Sequence, residues 1–171
     1  RDLAKAARSL GYEYMAICDH VRSPEIDRGI TEDKILKQRD EIRNLNGEQH
    51  DLFIFHGIEC NIGPDGSPDL PRAILKDFDL VIAGIHSQTR MHGDDMTRRI
   101  LAALANEHVD IFSHPTGRIL LRREPPDLDL REIFRTAAAQ HVVLEVNGDP
   151  SRLDLSDILC HRAKEYDITF S

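Results

Sequence analysis

Apolar runs of strand length recur along this sequence, and four of them end in a side chain that can bind a metal ion. These side chains are His20, Glu59, His86 and His114. They lie 39, 27 and 28 residues apart, and Glu145, which ends a further apolar run, follows after 31. Since a strand–crossover–strand unit takes about 30 residues, the spacing predicts a repeated βα arrangement.

The segments between these runs have the apolar periodicity of amphipathic helices. Met96, Ile100 and Leu104, for example, fall on one side of such a helix. The alternation predicts an α/β protein with a parallel sheet that is buried on both faces. Five strands, with a sixth begun at 168–171, favour most of a barrel over a complete doubly wound sheet, although periodicity alone leaves both open.

The composition is that of a soluble globular protein, and we expect one domain over residues 1–171. No apolar run approaches the ~20 residues that span a bilayer, so no membrane partner is expected. Three widely spaced cysteines without a CxxC pair fit a reducing cytoplasm. The net charge of −8 argues against a broad basic face that coats nucleic acid, but it allows an enzyme that meets phosphates through metal ions.

The four strand-end side chains predict a metal centre. In a closed parallel barrel the carboxyl ends of the strands converge on one rim, so these side chains are expected to lie together. Imidazole and carboxylate ligands suit zinc, manganese or iron. Two ions about 3.5–4 Å apart are used to hydrolyse phosphate esters, since they activate water and neutralise charge. The alternative is four unrelated polar residues at strand ends.

A basic loop follows the fourth of these strands. Residues 109–124 read VDIFSHPTGRILLRRE, in which a proline after His114 ends the strand. Arg118, Arg122 and Arg123 come next. Guanidinium groups bind phosphate through paired hydrogen bonds, so the loop is a candidate phosphate site. A structural salt bridge within the loop is the alternative for the last two arginines.

The motifs CDH, GIEC, GIHS and SHP resemble those of the PHP (polymerase and histidinol phosphatase) domain. More specifically, GIECNI with DGSPDLP, HPTGRILLRRE and LEVNGDPSRLDLSD are similar to the PHP domain found C-terminal in bacterial family X DNA polymerases. The resemblance covers essentially all 171 residues. It implies a distorted TIM-like (βα)7 barrel, up to three manganese or zinc ions, and 3′–5′ exonuclease or related 3′-end phosphate processing in DNA repair.

The resemblance also implies roles for individual residues. Glu59 resembles the carboxylate that bridges two metal ions, and His86 and His114 resemble the imidazoles that complete one of them. His20 resembles a ligand of the third ion, and Asp19 beside it resembles an orienting residue.

The substrate side of the site has its own candidates. Glu145 and Asn147 end the fifth run at the same rim, and we expect them to line the site or support its ligands. With Glu59 and His114, Arg118 completes the set of candidate catalytic residues.

The family also has an HxH strand before this region and an Asp-x-His strand after it, and neither motif occurs in these 171 residues. We therefore expect a fragment whose remaining ligands, and whose polymerase domain, lie outside this sequence. A barrel that lacks a strand exposes an unpaired edge, so such a fragment is expected to self-associate unless the missing strands are supplied.

Two further functions remain open. The same site could act on a small phosphate monoester such as histidinol phosphate, or the chain could be a degenerate module that positions a polymerase. The arginine loop favours DNA 3′ ends as substrate, and the retained Glu59, His86 and His114 argue against degeneration.

Several other polar residues are predicted to be structural. Arg98 and Arg99 are assigned to a solvated helix face, and Asp129 and Asp154 to helix N-caps. A loop is predicted at 23–29. The histidines predicted to be structural or solvent-facing are His50, His56, His92, His108, His141 and His161.

Overall fold

Five parallel strands alternate with helices in the part of the chain that the structure describes. A computed structural model describes residues 1–21, 26, 29–48 and 51–171. The strands are β1 (Tyr14–His20), β2 (Phe53–Asn61), β3 (Leu80–Gly84), β4 (Ile111–Phe112) and β5 (Val143–Leu144). The α-helices are α1 (Asp2–Ser9), α2 (Glu32–Glu48), α3 (Arg72–Leu75), α4 (Gly93–Leu104), α5 (Leu130–Gln140) and α6 (Asp157–Ala163), which a 3-10 turn, Lys164–Tyr166, extends. His50 and most of the loop predicted at 23–29 lie outside the described residues.

The strand order distinguishes the two architectures that periodicity left open. The strands follow the order β1-β2-β3-β4-β5, and each neighbouring pair is parallel. A doubly wound sheet reverses direction at a switch point, whereas a barrel adds strands in sequence. The α/β prediction with a parallel sheet is therefore confirmed, and the sheet is an open segment with the winding of a barrel.

The predicted start of a sixth strand is also present. Phe170 forms a parallel bridge with Leu144. The Leu144 amide donates to the Thr169 carbonyl at 3.0 Å, and the Ser171 amide donates to the Leu144 carbonyl at 3.2 Å. The sheet thus continues beyond β5 in the same direction.

The main core lies between the sheet and helices α4 to α6. Met96, Ile100 and Leu104 are buried as their periodicity predicted, and they pack in one cluster with Phe112 and Leu144. Fully burying side chains of this size stabilises the fold by about 1.5–3 kcal/mol each. This packing fixes the strands whose carboxyl ends carry His86 and His114.

The opposite face of the sheet is apolar and partly open. Tyr14 is 68% exposed, Phe53 50% and Phe55 37%. The rings of Phe53 and Phe55 pack edge to face, with centroids 4.8 Å apart. Self-association through this face and the β1 edge stays a prediction.

Helix capping agrees with the sequence prediction at α5 and differs from it at α6. Asp129 caps α5 and accepts a hydrogen bond from the Glu132 amide. The prediction that Asp154 caps α6 is wrong, because its carboxylate is buried against Thr116. Ser156 caps that helix instead, so α6 begins at Asp157.

Cys18, Cys60 and Cys160 are all free thiols. Within the described ranges, no helix is both long enough and apolar enough to cross a membrane.

Candidate metal centre

Three imidazoles surround the carboxylate of Glu59. The Nε2 atom of His86 lies 3.3 Å and that of His114 3.9 Å from Glu59 Oε1. His20 Nε2 lies 3.5 Å from the other carboxylate oxygen, Oε2. The four strand-end side chains therefore meet, as their positions on a parallel sheet led us to expect.

Parallel pairing explains how they meet. His20 and Glu59 are register partners at the ends of β1 and β2. Glycine 84 pairs with Asn61 at the end of β3, and His86 follows two residues later. His114 follows β4 by the same interval. Four neighbouring strands thus deliver their ligand side chains to one end of the sheet.

Gly84 forms the floor of this site. A Cβ atom at this position would lie 2.3 Å from Ser113 Oγ, 2.8 Å from His86 Nε2 and 3.1 Å from the His114 ring. A side chain here would therefore occupy the space in which the imidazoles approach each other. The sequence analysis did not identify this glycine, although it lies two residues before His86 in the GIHS motif.

Burial and charge set the protonation of the site. Burial lowers the pKa of His114 to about 4, and the neighbouring His86 and Arg152 act in the same direction. Burial on its own would raise the pKa of Glu59, but the neighbouring His86, with the charges of His20 and His114, lowers it below its usual range. Neutral His114 and ionised Glu59 are the protonation states that bind metal ions.

The donor set fits a transition metal ion. His20, Glu59 and His86 each offer one ligand atom, and these atoms lie within 4.8 Å of one another. Ligands about 2.1 Å from a tetrahedral ion would be roughly 3.4 Å apart, close to the separations around Glu59. His86 Nε2 is buried, and Glu59 Oε1 lies 3.3 Å from it, as expected of two ligand atoms that would share a metal ion.

Asn61 holds the backbone of His86 in place through a hydrogen bond. Its Oδ1 accepts from the His86 amide at 2.9 Å, and its Nδ2 donates to Ser87 Oγ at 3.0 Å. The Asn61 amide in turn donates to Asp69 Oδ1 at 3.1 Å. Sequence reasoning missed Asn61, although it is two residues beyond Glu59 and therefore on the same face of β2.

Arg99 joins the loops that follow β2 and β3. It is 1% exposed, so the prediction that it lies on a solvated face is wrong. Its Nε donates to the Gly63 carbonyl at 2.8 Å, Nη1 donates to the Ser87 carbonyl at 3.1 Å, and Nη2 donates to the Ile62 carbonyl. Arg98 keeps its side chain exposed and pairs with Asp95. Two adjacent arginines thus have opposite environments.

Glu145 supports the residue that carries another imidazole. Its Oε2 accepts from the His114 amide at 2.6 Å, and Asn147 Nδ2 lies 3.3 Å from both Glu145 oxygens as a donor. Ser113 adds a contact from the same strand end, because its Oγ donates to Glu59 Oε1 at 3.2 Å. The structure therefore places Glu145 and Asn147 beside the site, behind His114.

Asp19 lies on the other side of β1. Its Oδ2 accepts from Gln38 Nε2 of α2 at 2.6 Å. Successive side chains of a strand point to opposite faces, so Asp19 faces α2 while His20 faces Glu59. The structure does not bring Asp19 together with the imidazoles.

The three arginines after His114 have different surroundings. Arg118 donates from Nε to the Arg152 carbonyl at 2.7 Å and from Nη2 to the Leu153 carbonyl. Arg123 donates from Nε to the Gly117 carbonyl at 2.7 Å. Arg122 is exposed. Two of the arginines therefore help to shape the loop, and the third faces solvent.

The described histidines outside the cluster have other environments. His56 is 4% exposed, and its ring lies 4.7 Å from that of Phe78. His92 precedes the first residue of α4, and His141 follows the last residue of α5 in a left-handed conformation. His161 is exposed on α6. These positions are structural or solvent-facing.

The sequence is similar to characterised and probable phosphoesterases. The DNA polymerase/3′-5′ exonuclease PolX of Bacillus subtilis is 37% identical over 169 residues, which is 99% of this chain and 30% of that protein. A probable phosphatase of Thermoanaerobacter sp. (strain X514) is 34% identical over 99 residues, or 56% of this chain and 38% of that protein. A probable phosphatase of Edwardsiella ictaluri is 32% identical over 150 residues, 86% of this chain and 56% of its own length. No family model matches the chain.

The fold is similar to a solved phosphatase. The histidinol phosphate phosphatase of Lactococcus lactis, crystallised with zinc, L-histidinol and phosphate, superposes with a TM-score of 0.60 at 16% identity. The match covers 98% of this chain and 76% of that one. Together the comparisons confirm the predicted resemblance to the PHP domain and its TIM-like fold. They also support metal-dependent phosphoester hydrolysis as the class of chemistry.

Proposed function

We propose that this PHP-type chain hydrolyses phosphate esters with divalent metal ions and that its substrate is the 3′ end of DNA. The observation that carries the proposal is the convergence of His20, His86 and His114 on the Glu59 carboxylate, at 3.3–3.9 Å. Such a donor set binds manganese or zinc, which supply a Lewis acid and an activated water when bound.

The protein groups then have separate tasks. Glu59 lies between the imidazoles with one oxygen toward His20 and the other toward His86 and His114, so it would help to hold two ions if both were bound. The low pKa of His114 keeps its imidazole neutral, and therefore able to bind metal, well below pH 7. We assign up to three ions to the site.

DNA is favoured as substrate by the similarity to PolX, whose name records a 3′–5′ exonuclease. It is also favoured by the arginine loop. Arg122 is exposed, and Arg118 is oriented by two carbonyl groups while its guanidinium has five donors in all. We propose that Arg118, Arg122 and Arg123 grip the substrate backbone. Because the net charge is −8, we expect such contacts at a local basic loop and not over a broad basic face.

The test uses the purified full-length protein, manganese, and a single-stranded DNA that has a free 3′ hydroxyl and a label at its 5′ end. We expect stepwise shortening of the strand, and loss of that activity in Glu59→Gln and His114→Ala. Arg122→Ala should weaken DNA binding and reduce the salt dependence of log K by about 0.7, the value for one phosphate contact on a single strand. Arg135→Ala, an exposed arginine of α5, is the matched control. Undiminished digestion by Glu59→Gln would contradict the proposal.

A small phosphate monoester is the second candidate, and the similarity to probable phosphatases favours it. Turnover of histidinol phosphate and of DNA by the same preparation separates the two. If histidinol phosphate alone is hydrolysed, and Arg122→Ala has no effect, the site is a small-molecule phosphatase. If neither is hydrolysed and no metal is bound, the chain serves as a structural module of a polymerase.

A further inference from the structure

The loops that follow β4 and β5 are joined along their length. The Leu120 amide donates to the Ser151 carbonyl at 2.7 Å, next to the bonds from Arg118 to the same loop. Asn147 and Asp154 pair their backbones in both directions, at 2.6 and 3.2 Å. Two of the motifs on which the family resemblance rests, HPTGRILLRRE and the SRLDLSD part of LEVNGDPSRLDLSD, are therefore in direct contact.

A buried carboxylate lies at the centre of this contact. Asp154 is 0% exposed. Its Oδ1 accepts from Thr116 Oγ1 at 2.9 Å, and its Oδ2 accepts from the Thr116 amide at 3.1 Å. Burial raises the pKa of Asp154, whereas the bonds from Thr116 and the Gly117 amide oppose that rise. Because a buried carboxylate is costly unless it is hydrogen-bonded, the site is built around these donors.

The turn that Asp154 holds is the one that presents His114. The Gly117 amide donates to the His114 carbonyl at 2.8 Å, which closes the turn. His114 itself has φ +33°, a conformation that side-chain-bearing residues seldom adopt. Such a conformation persists only where the surroundings fix it. Glu145 fixes the turn at the His114 amide, and Asp154 fixes it at Thr116.

We propose that Asp154 is a positioning residue for the metal-binding imidazole of His114. It acts through Thr116, holding the turn from the side opposite Glu145, so that the strained backbone of His114 keeps Nε2 directed at Glu59. This rests on the proposed function only in taking His114 as a metal ligand. Outer residues of this kind commonly change metal affinity by about 10–100-fold when they are replaced.

The test compares metal binding in matched variants of the full-length protein, with Co²⁺ as the probe. Asp154→Asn replaces one of the two acceptor oxygens with an NH₂ donor, so the Thr116 amide and hydroxyl must share the oxygen that remains, and Thr116→Val removes the hydroxyl donor, whereas Thr116→Ser keeps it. We expect the first two to lower Co²⁺ affinity about 10-fold and to shift the visible bands of the bound ion, and Thr116→Ser to restore both. Asp149→Asn is the control, since Asp149 is exposed in the same loop and, among the described hydrogen bonds, its carboxylate accepts from Ser151 alone.

A merely structural role predicts a different result. Asp154→Asn would then lower the melting temperature while Co²⁺ affinity and spectrum, measured well below that temperature, stay as in the wild type, and this would overturn the proposal. If the wild type binds no Co²⁺, the proposed function fails, and hydrogen exchange still tests the positioning. We expect faster exchange of the Thr116 and Gly117 amides in Asp154→Asn and Thr116→Val. Unchanged exchange at these amides would refute the positioning role independently.

Discussion

The two sides of Glu59 are built differently. On one side the His86 and His114 side chains are 15% and 6% exposed, and each residue donates its backbone amide to a side-chain oxygen, of Asn61 or of Glu145. On the other side the His20 side chain is 40% exposed, on the strand that forms the edge of the described sheet. Fixed, desolvated ligands lose less freedom when they bind an ion. From this contrast we propose that His86 and His114 would bind an ion more tightly than His20, which shares the group of close ligand atoms with Glu59 and His86.

The largest expected effect on metal affinity comes from removing His86 or His114, whose backbone amides are hydrogen-bonded to Asn61 and Glu145. His86→Ala and His114→Ala should each lower Mn²⁺ affinity by about 100-fold or more, the upper end of what supporting residues alone contribute. His20→Ala should cost about 10-fold. Titration calorimetry measures these differences, with the exposed His161→Ala as control. Equal losses in His20→Ala and His114→Ala would remove the distinction between the two sides.

A second prediction separates the adjacent arginines of α4. Arg99→Met leaves the carbonyls of Ile62, which is buried, and of Gly63 and Ser87, which are half-buried, without their donor, at a cost of about 3 kcal/mol and thus about 10 °C in melting temperature. Arg98→Met, at an exposed position, should change the free energy of unfolding by less than about 0.5 kcal/mol. Calorimetric melting of both variants decides the matter. Equal melting temperatures would show that Arg99 does not brace the loops.

Replacing Asn61 tests the brace at His86 directly. Asn61→Ala removes the acceptor of the His86 amide, and we expect Mn²⁺ affinity to fall about 10-fold. Ser87→Ala removes only the bond between the two side chains and should have a smaller effect. If Mn²⁺ affinity falls equally in the two variants, the hydrogen bond from the His86 amide to Asn61 is unimportant for metal binding.

The smallest expected effect is a pH dependence from Asp69, which supports Asn61. Burial raises the pKa of Asp69 from 3.8 to about 6. The folded state therefore binds more protons than the unfolded state between these values, and this contribution to stability is lost as pH rises from about 4 to about 6. After allowance for solvent screening it amounts to about 1 kcal/mol.

Asp69→Asn should remove that dependence. Urea unfolding at pH 4 and pH 7 should show the variant gaining about 1 kcal/mol over the wild type between the two values. Asp127→Asn, at an exposed position, should run parallel to the wild type. If the free energy of unfolding of Asp69→Asn changes with pH as that of the wild type does, the prediction is contradicted.

Sequence patterns predicted the four converging side chains more fully than the residues that support them. His20, Glu59, His86 and His114 were predictable because parallel strands of similar spacing bring their carboxyl ends together. Asn61 and Gly84 were not recognised, although each lies two residues from a ligand on the same strand face. Periodicity of two, applied outward from a ligand, would have found both.

Arg99 and Asp154 were not recognised for different reasons. Arg99 lies three residues after Met96 and four before Ala103, so helical periodicity places it on the buried face of α4 and Arg98 off that face, but the charge of an arginine favoured a solvated position. Asp154 stands shortly before a helix, where an aspartate usually caps, yet Ser156 takes that place. Its true partner, Thr116, is 38 residues away in the chain. Such long-range pairing is invisible to rules that compare neighbours.

Metal analysis of the purified full-length protein tests the central claim most directly. If Glu59 organises a metal centre, the wild type should hold at least one manganese or zinc ion per chain after either metal is added, and Glu59→Gln should lose it. The absence of any bound transition metal in the wild type, even after manganese or zinc is supplied, would contradict the account.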